Sequence, residues 1–212
     1  MKTRDYYFMA ACLCFFSGFI NIITLFYFGY PISHFSGTFT SIAQYLYKAV
    51  GYEKLIELLI MIVCFMVGAI FSAIISDDSQ EKNIKRYGIA MIIFGFIILI
   101  LDNFIKNNKL FLYFLTLTMG FQNGMSIRFK GNLIRSTHMT GNLTDLGSYL
   151  GKVIKGEKDK VEYVFLSILE IGNYVLGGIL SLICLFYIGG YIVNLYSILY
   201  IIFGMFMRIK KS

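Results

Sequence analysis

Six apolar runs divide the chain: Tyr6–Gly29, Leu55–Ser76, Tyr87–Phe104, Leu110–Ile127, Val161–Phe186 and Gly189–Met207. Each approaches or exceeds the ~20 residues that a helix needs to cross the hydrocarbon of a bilayer. Two further stretches, Ile32–Val50 and Asn132–Gly151, carry a different pattern. Their apolar positions recur at helical spacing, as in Leu143, Leu146, Tyr149 and Leu150, with polar residues between them. The pattern predicts an all-α membrane protein of about six transmembrane helices. It places a semi-polar segment, broken or re-entrant, after the first and fourth helices. One integral membrane domain covers residues 1–212.

Composition agrees with this class. Hydrophobic residues make up 58% of the chain and charged residues 15%, against about a quarter charged in soluble domains. The net charge of +7 does not point to nucleic acid, because the charges sit in short loops and no arginine-rich tail is present. They read instead as orientation signals. With six crossings, fifteen of the 19 Lys and Arg residues fall on the side of both termini, Asp77–Arg86 and Arg128–Lys160. The other side holds four: Lys48, Lys54, Lys106 and Lys109. If both semi-polar segments also crossed, the split would be 13 to six, a weaker bias. Six crossings with cytoplasmic termini, in a bacterial-type inner (plasma) membrane, is the expectation. No cleavable leader is expected. Cys12, Cys14, Cys64 and Cys184 lie inside apolar runs and read as small buried hydrophobes.

The polar residues are not scattered. Gly18-Phe-Ile-Asn21 precedes His34-Phe-Ser-Gly-Thr-Phe-Thr40, and Gly120-Phe-Gln-Asn123 precedes His138-Met-Thr-Gly-Asn-Leu-Thr144. The shared pattern is G-F-x-N followed by H-x-[ST]-G-x-x-T, and it contains both histidines of the chain. Gly68-Ala-Ile-Phe-Ser72 and Gly177-Gly-Ile-Leu-Ser181 form a second matching pair. The halves, about 6–105 and 110–207, hold three spans each. Three is odd, so they would enter the membrane in opposite senses, an inverted 3+3 repeat of the kind that places transporter sites near the midplane.

Met119-Gly-Phe-Gln-Asn123 and Thr140-Gly-Asn-Leu-Thr-Asp-Leu-Gly147 resemble the YoaK-like family of bacterial polytopic membrane proteins, an uncharacterised family with a domain of unknown function. The resemblance covers nearly the whole chain and implies six helices in an inner membrane, with no substrate attached. The first half departs from the family pattern. Asn21 stands where the family usually has Asp, and Ser36-Gly37-Thr38 where it has Thr-Gly-Asn, so no proton-carrying role passes from that Asp to Asn21.

His34 and His138 fit a role in permeation or gating, since an imidazole titrates near neutrality. The alternatives are a membrane-boundary position bonded to backbone, or a metal site, for which no acidic or cysteine cluster is present. Asn142 is placed to cap a helix with Asp145 answering three residues later. Gly37 and Gly141 would let a solute approach bare N–H groups, a setting for an anion or carbonyl oxygen. Ser36, Thr38 and Thr140 add hydroxyls. Asn21, Gln122 and Asn123 must find partners inside the bundle, either lining a path or fastening helices together. Glu170 and Asn173 are polar residues within the fifth run, where an acid is a functional candidate by default. The G-x-x-x-G spacings at Gly120–Gly124 and Gly147–Gly151 are a weak packing signal.

No P-loop, nucleophile elbow or HExxH pattern occurs, so an enzyme is not expected, nor any cofactor or metal. The expected function is a transporter or channel-like permease for a small polar or anionic solute. Its candidate substrate-binding residues are Asn21, His34, Ser36, Gly37, Thr38, Gln122, Asn123, His138, Thr140, Gly141 and Asn142. The lipid bilayer is the expected partner, and a homo-oligomer is compatible with the sequence. The competing expectation is a non-transporting scaffold, assembly or lipid-interacting protein.

Overall fold

A computed structural model describes residues 3–49, 51–105 and 108–209. Lys106, counted above among the loop charges, and Val50, the end of the first semi-polar stretch, lie outside the described residues. Among the described residues eight α-helices follow one another: α1 (Thr3–Phe28), α2 (Phe35–Lys48), α3 (Tyr52–Ile74), α4 (Gln80–Ile105), α5 (Lys109–Gly124), α6 (Met139–Ile154), α7 (Val161–Ile188) and α8 (Ile192–Ile209). A two-stranded hairpin, β1 (Arg128–Phe129) and β2 (Asn132–Leu133), precedes α6.

By length and composition, four helical stretches can cross a membrane: Thr3–Phe28, Tyr52–Ile74, Gln80–Ile105 and Lys158–Ile209. The last contains both α7 and α8, which a single 3-10 turn at Gly189–Tyr191 separates. Gly189 takes φ +48 there, a left-handed value that glycine adopts without strain. The surface supports the membrane assignment. Along α3, Ile56, Leu59, Val63, Met66 and Ile70 form an outward stripe 46–56% exposed, a patch that a soluble monomer rarely shows. Polar residues are turned inward instead, including Ser17, Asn21 and Thr24 of α1, Ser72 of α3 and Ser181 of α7.

Several boundaries differ from the sequence expectation. The fourth apolar run gives only a 16-residue helix, because the chain leaves α5 after Gly124 and turns into the hairpin. Lys130 and Gly131, both at positive φ, make its two-residue corner, the primed turn that suits tight hairpins. The second semi-polar helix therefore starts at Met139 rather than Asn132, and the first at Phe35 rather than Ile32. In the other direction, α4 begins seven residues earlier than its apolar run. The Asn83 side chain accepts from the Asp77 N–H and donates to the Asp77 carbonyl across the turn, and the Asp77 carboxylate pairs with Arg86 at 3.1 Å.

Three helix pairs dominate the packing: α1 with α7, α3 with α5, and α4 with α8. Glycine allows each crossing. A Cβ on Gly18 would fall 1.9 Å from the Tyr174 carbonyl oxygen, and one on Gly177 would fall 2.1 Å from that of Phe15. Across α3 and α5 the same contacts recur, with Gly120 against the Phe65 carbonyl at 2.0 Å and Gly68 against that of Leu117 at 2.0 Å. Gly88 and Gly204 face each other between α4 and α8, with hypothetical Cβ-to-oxygen distances of 2.6 and 2.7 Å. The successive contacts make α1 and α7 run parallel, α3 and α5 parallel, and α4 and α8 antiparallel. The shorter α2 rests on α3, and α6 on α7.

Candidate functional site

The chain arrives at the start of α2 and of α6 in the same conformation. His34 has φ −98 and ψ 58, His138 has φ −87 and ψ 56, and each holds the N-cap position without a side-chain cap bond. The first helical bonds are Thr38 N–H to His34 carbonyl at 3.3 Å and Asn142 N–H to His138 carbonyl at 2.9 Å. The N–H groups at 35–37 and 140–141 come before those bonds and have no helical acceptor. This corrects the expected cap at Asn142. That residue lies within the first turn of α6, one turn past the cap, because the helix begins three residues before it.

Both helix starts open on one cavity of about 660 Å³. One wall is Ser33, His34, Phe35, Ser36 and Gly37, and the opposite wall is Asn123, Thr137, His138, Met139 and Thr140, with Phe65 of α3 between them. No Asp, Glu, Lys or Arg is among these lining residues. Polar chemistry comes from hydroxyls, one amide, two imidazoles and backbone N–H groups. Desolvation lowers the His34 imidazole below its ordinary value. The Nε2 of His34 lies 2.7 Å from the Tyr174 hydroxyl of α7, and the tautomer decides which one donates. The ring of His138 instead covers Gly141, where a Cβ would lie 2.4 Å from its Nδ1.

Six of the expected residues thus border the cavity: His34, Ser36, Gly37, Asn123, His138 and Thr140. Five do not. Thr38 turns its hydroxyl back to the His34 carbonyl on an exposed helix face, and Gly141 and Asn142 lie behind His138. Asn21 and Gln122 lie deeper, in a buried network. Asn21 donates to the Ser17 carbonyl at 2.7 Å and the Ser33 hydroxyl at 2.8 Å. Gln122 Nε2 lies 3.0 Å from the Leu13 carbonyl and 2.9 Å from each of the Ser17 and Ser136 hydroxyls. These bonds tie α1 and α5 to the loops that carry the two histidines. Asn173 donates to the Leu169 carbonyl of its own helix at 2.8 Å. Asn21 Oδ1, Gln122 Oε1, Asn123 Oδ1 and Asn142 Nδ2 are buried without a hydrogen-bond partner among the described residues. Gln122→Leu should lower stability by about 1–3 kcal/mol by orphaning those acceptors, read as a lower unfolding temperature in detergent. An unchanged temperature would remove the network from the account of what fixes the loops.

A model described as Protein of unknown function (DUF1275) matches residues 9–207. The chain belongs to that family. The YoaK-like resemblance of the 119–123 and 140–147 motifs is consistent with membership, and the matched region includes every residue that lines the cavity. Neither the curated proteins nor the solved structures include a match.

The sequence missed Tyr174, Ser33, Phe65 and Thr137. Tyr174 and Phe65 look like ordinary members of apolar runs. They could have been found by extending the Gly68/Gly177 alignment backwards by three residues, which makes them counterparts.

Proposed function

We propose that the chain is a permease of the bacterial inner membrane, passing a small polar or anionic solute through a site between two inverted repeats of three spans. Six crossings, with α2 and α6 as re-entrant helices, place both termini in the cytoplasm by the charge bias of the loops. Equivalent contacts support the repeat: Gly18–Tyr174 matches Gly120–Phe65, and Gly177–Phe15 matches Gly68–Leu117. The parallel sense of α1 and α7, and of α3 and α5, is what six crossings require. So is the antiparallel sense of α4 and α8.

The observation that carries the function is the shared cavity. Two uncapped helix starts, one from each copy of the motif, open on it. Each helix start favours negative charge by about 0.3–1 kcal/mol, and by up to ~2 kcal/mol where partly buried. Without a fixed cation, binding stays weak enough for release, as passage demands. The volume suits a metabolite-sized solute. In a lipid-interacting or assembly scaffold, the duplicated polar residues would instead close on each other.

Proteoliposomes offered a panel of small monovalent anions and neutral polar solutes should accumulate at least one of them. The His34→Ala/His138→Ala double variant should cut its uptake at least tenfold. Equal uptake by the double variant would reject the cavity as the route.

A further inference from the structure

Glu170 is the one carboxylate of α7 beyond its first turn, and only 6% of its surface is exposed. Neither a hydrogen bond nor an ion pair reaches it among the described residues. Its place follows from the α1–α7 crossing. Gly18 lies opposite Tyr174, and Ile22 opposite Gly178, so one turn earlier sets Cys14 opposite Glu170. Cys14 is itself fully buried and lies within electrostatic reach of the carboxylate. From α6, Asp145 is the other ionisable group that acts on it. A carboxylate at such depth with no cation beside it is costly, and it marks ion or proton pathways where it is retained.

Glu170 shares a face of α7 with a residue that reaches the cavity wall. Tyr174 lies one turn along the same face of α7, and its hydroxyl is 2.7 Å from His34 Nε2. Residues four apart on a helix have Cβ atoms about 6 Å apart, a gap that two long side chains or one water can close. The column has no copy in the other half. The counterpart of Tyr174 is Phe65, which borders the cavity without a hydroxyl, and the counterpart of Glu170 is Met61, which is fully buried. The two copies therefore differ: Tyr174 offers His34 a hydroxyl, whereas Phe65 offers none and packs its ring on Phe35.

We infer that Glu170 is a proton-loading site that exchanges its proton with the cavity through Tyr174 and His34. The proton leaves the carboxyl oxygen for the Tyr174 hydroxyl, which passes its own proton to the His34 ring. The opposite ring nitrogen releases one to the cavity, and the reverse sequence reloads the site. Resting on the permease reading, this makes the proton the coupling ion and one repeat its carrier.

Infrared difference spectra of the full chain in lipid nanodiscs, recorded while pH is varied, test the site without any solute. The expected result is a protonated-carboxyl band that rises and falls with pH. It should be absent from Glu170→Gln and kept in Asp145→Asn. Tyr174→Phe should keep the band but slow its response to a pH jump at least tenfold. A wild-type protein without such a band, or a band that survives in Glu170→Gln, overturns the inference. If Glu170→Gln fails to fold, Glu170→Asp takes its place and should return the band at a shifted frequency. An unshifted band there also overturns it. In proteoliposomes, Glu170→Gln should lose accumulation driven by a pH gradient while keeping solute exchange. Should no solute move in either protein, the permease reading fails, and the infrared result still decides the proton site.

Discussion

Gly18→Ala should leave little or no folded protein in detergent, and Gly120→Ala should do the same. The added methyl would stand 1.9 Å from the Tyr174 carbonyl oxygen in the first case and 2.0 Å from that of Phe65 in the second. Backbone cannot swing aside as a side chain can, so the helices must separate. Overpacking in a core that can partly relax costs about 1–3 kcal/mol, and a backbone clash at a crossing exceeds that range. Without water among the helices, close packing of small residues is a main source of association in a membrane. Gly147→Ala is the control, since a Cβ there meets nothing within 4 Å. Gel-filtration profiles and unfolding temperatures would decide it, and a Gly18→Ala protein as stable as the wild type would refute the packing described for α1 and α7.

Gly37→Trp should abolish solute passage while leaving the fold intact. Gly37 borders the cavity, and its missing Cβ would point into open space. An indole there occupies the room between the two helix starts and covers N–H groups of α2. We expect at least a tenfold fall in proteoliposome uptake, with Gly37→Ala close to wild type and both proteins unfolding at the wild-type temperature. Uptake unchanged in Gly37→Trp would move the route elsewhere in the molecule. The pairing with Gly18→Ala is informative, because two glycines of the same motif half are expected to fail in unrelated ways.

Much of this arrangement was legible in the sequence, and the part that was not has a physical cause. The G-F-x-N and H-x-[ST]-G copies located both cavity walls, because small and hydroxyl residues are conspicuous in an apolar chain. They could not separate wall from support. Gln122 and Asn123 are adjacent amides in one helix, yet about 100° of helical rotation sends one into the network and the other to the cavity. Asn142 was read as a cap from Asp145 three residues on, whereas the cap position is His138, four residues sooner. The hairpin at 128–133 escaped because two residues per strand carry no periodicity, leaving Lys130-Gly131 as its one signal. Tyr174 escaped because an aromatic residue within an apolar run shows its polar end only once a partner is known.

The crossings at Gly18 and Gly120 also bear on how the chain is made. Helix α1 packs on α7, and α5 on α3. During synthesis α1 enters the membrane with Ser17 facing Gln122 of α5 and Gly18 facing Tyr174 of α7, neither yet translated. At roughly 5–20 residues per second, the interval before Tyr174 leaves the ribosome is on the order of 10–30 s. Over that time the polar side of α1 has to be sheltered by the insertion machinery or by its own hydrogen bonds to the preceding turn, such as Ser17 to the Leu13 carbonyl at 3.0 Å. Because α1 packs on α7, assembly waits on the last third of the chain.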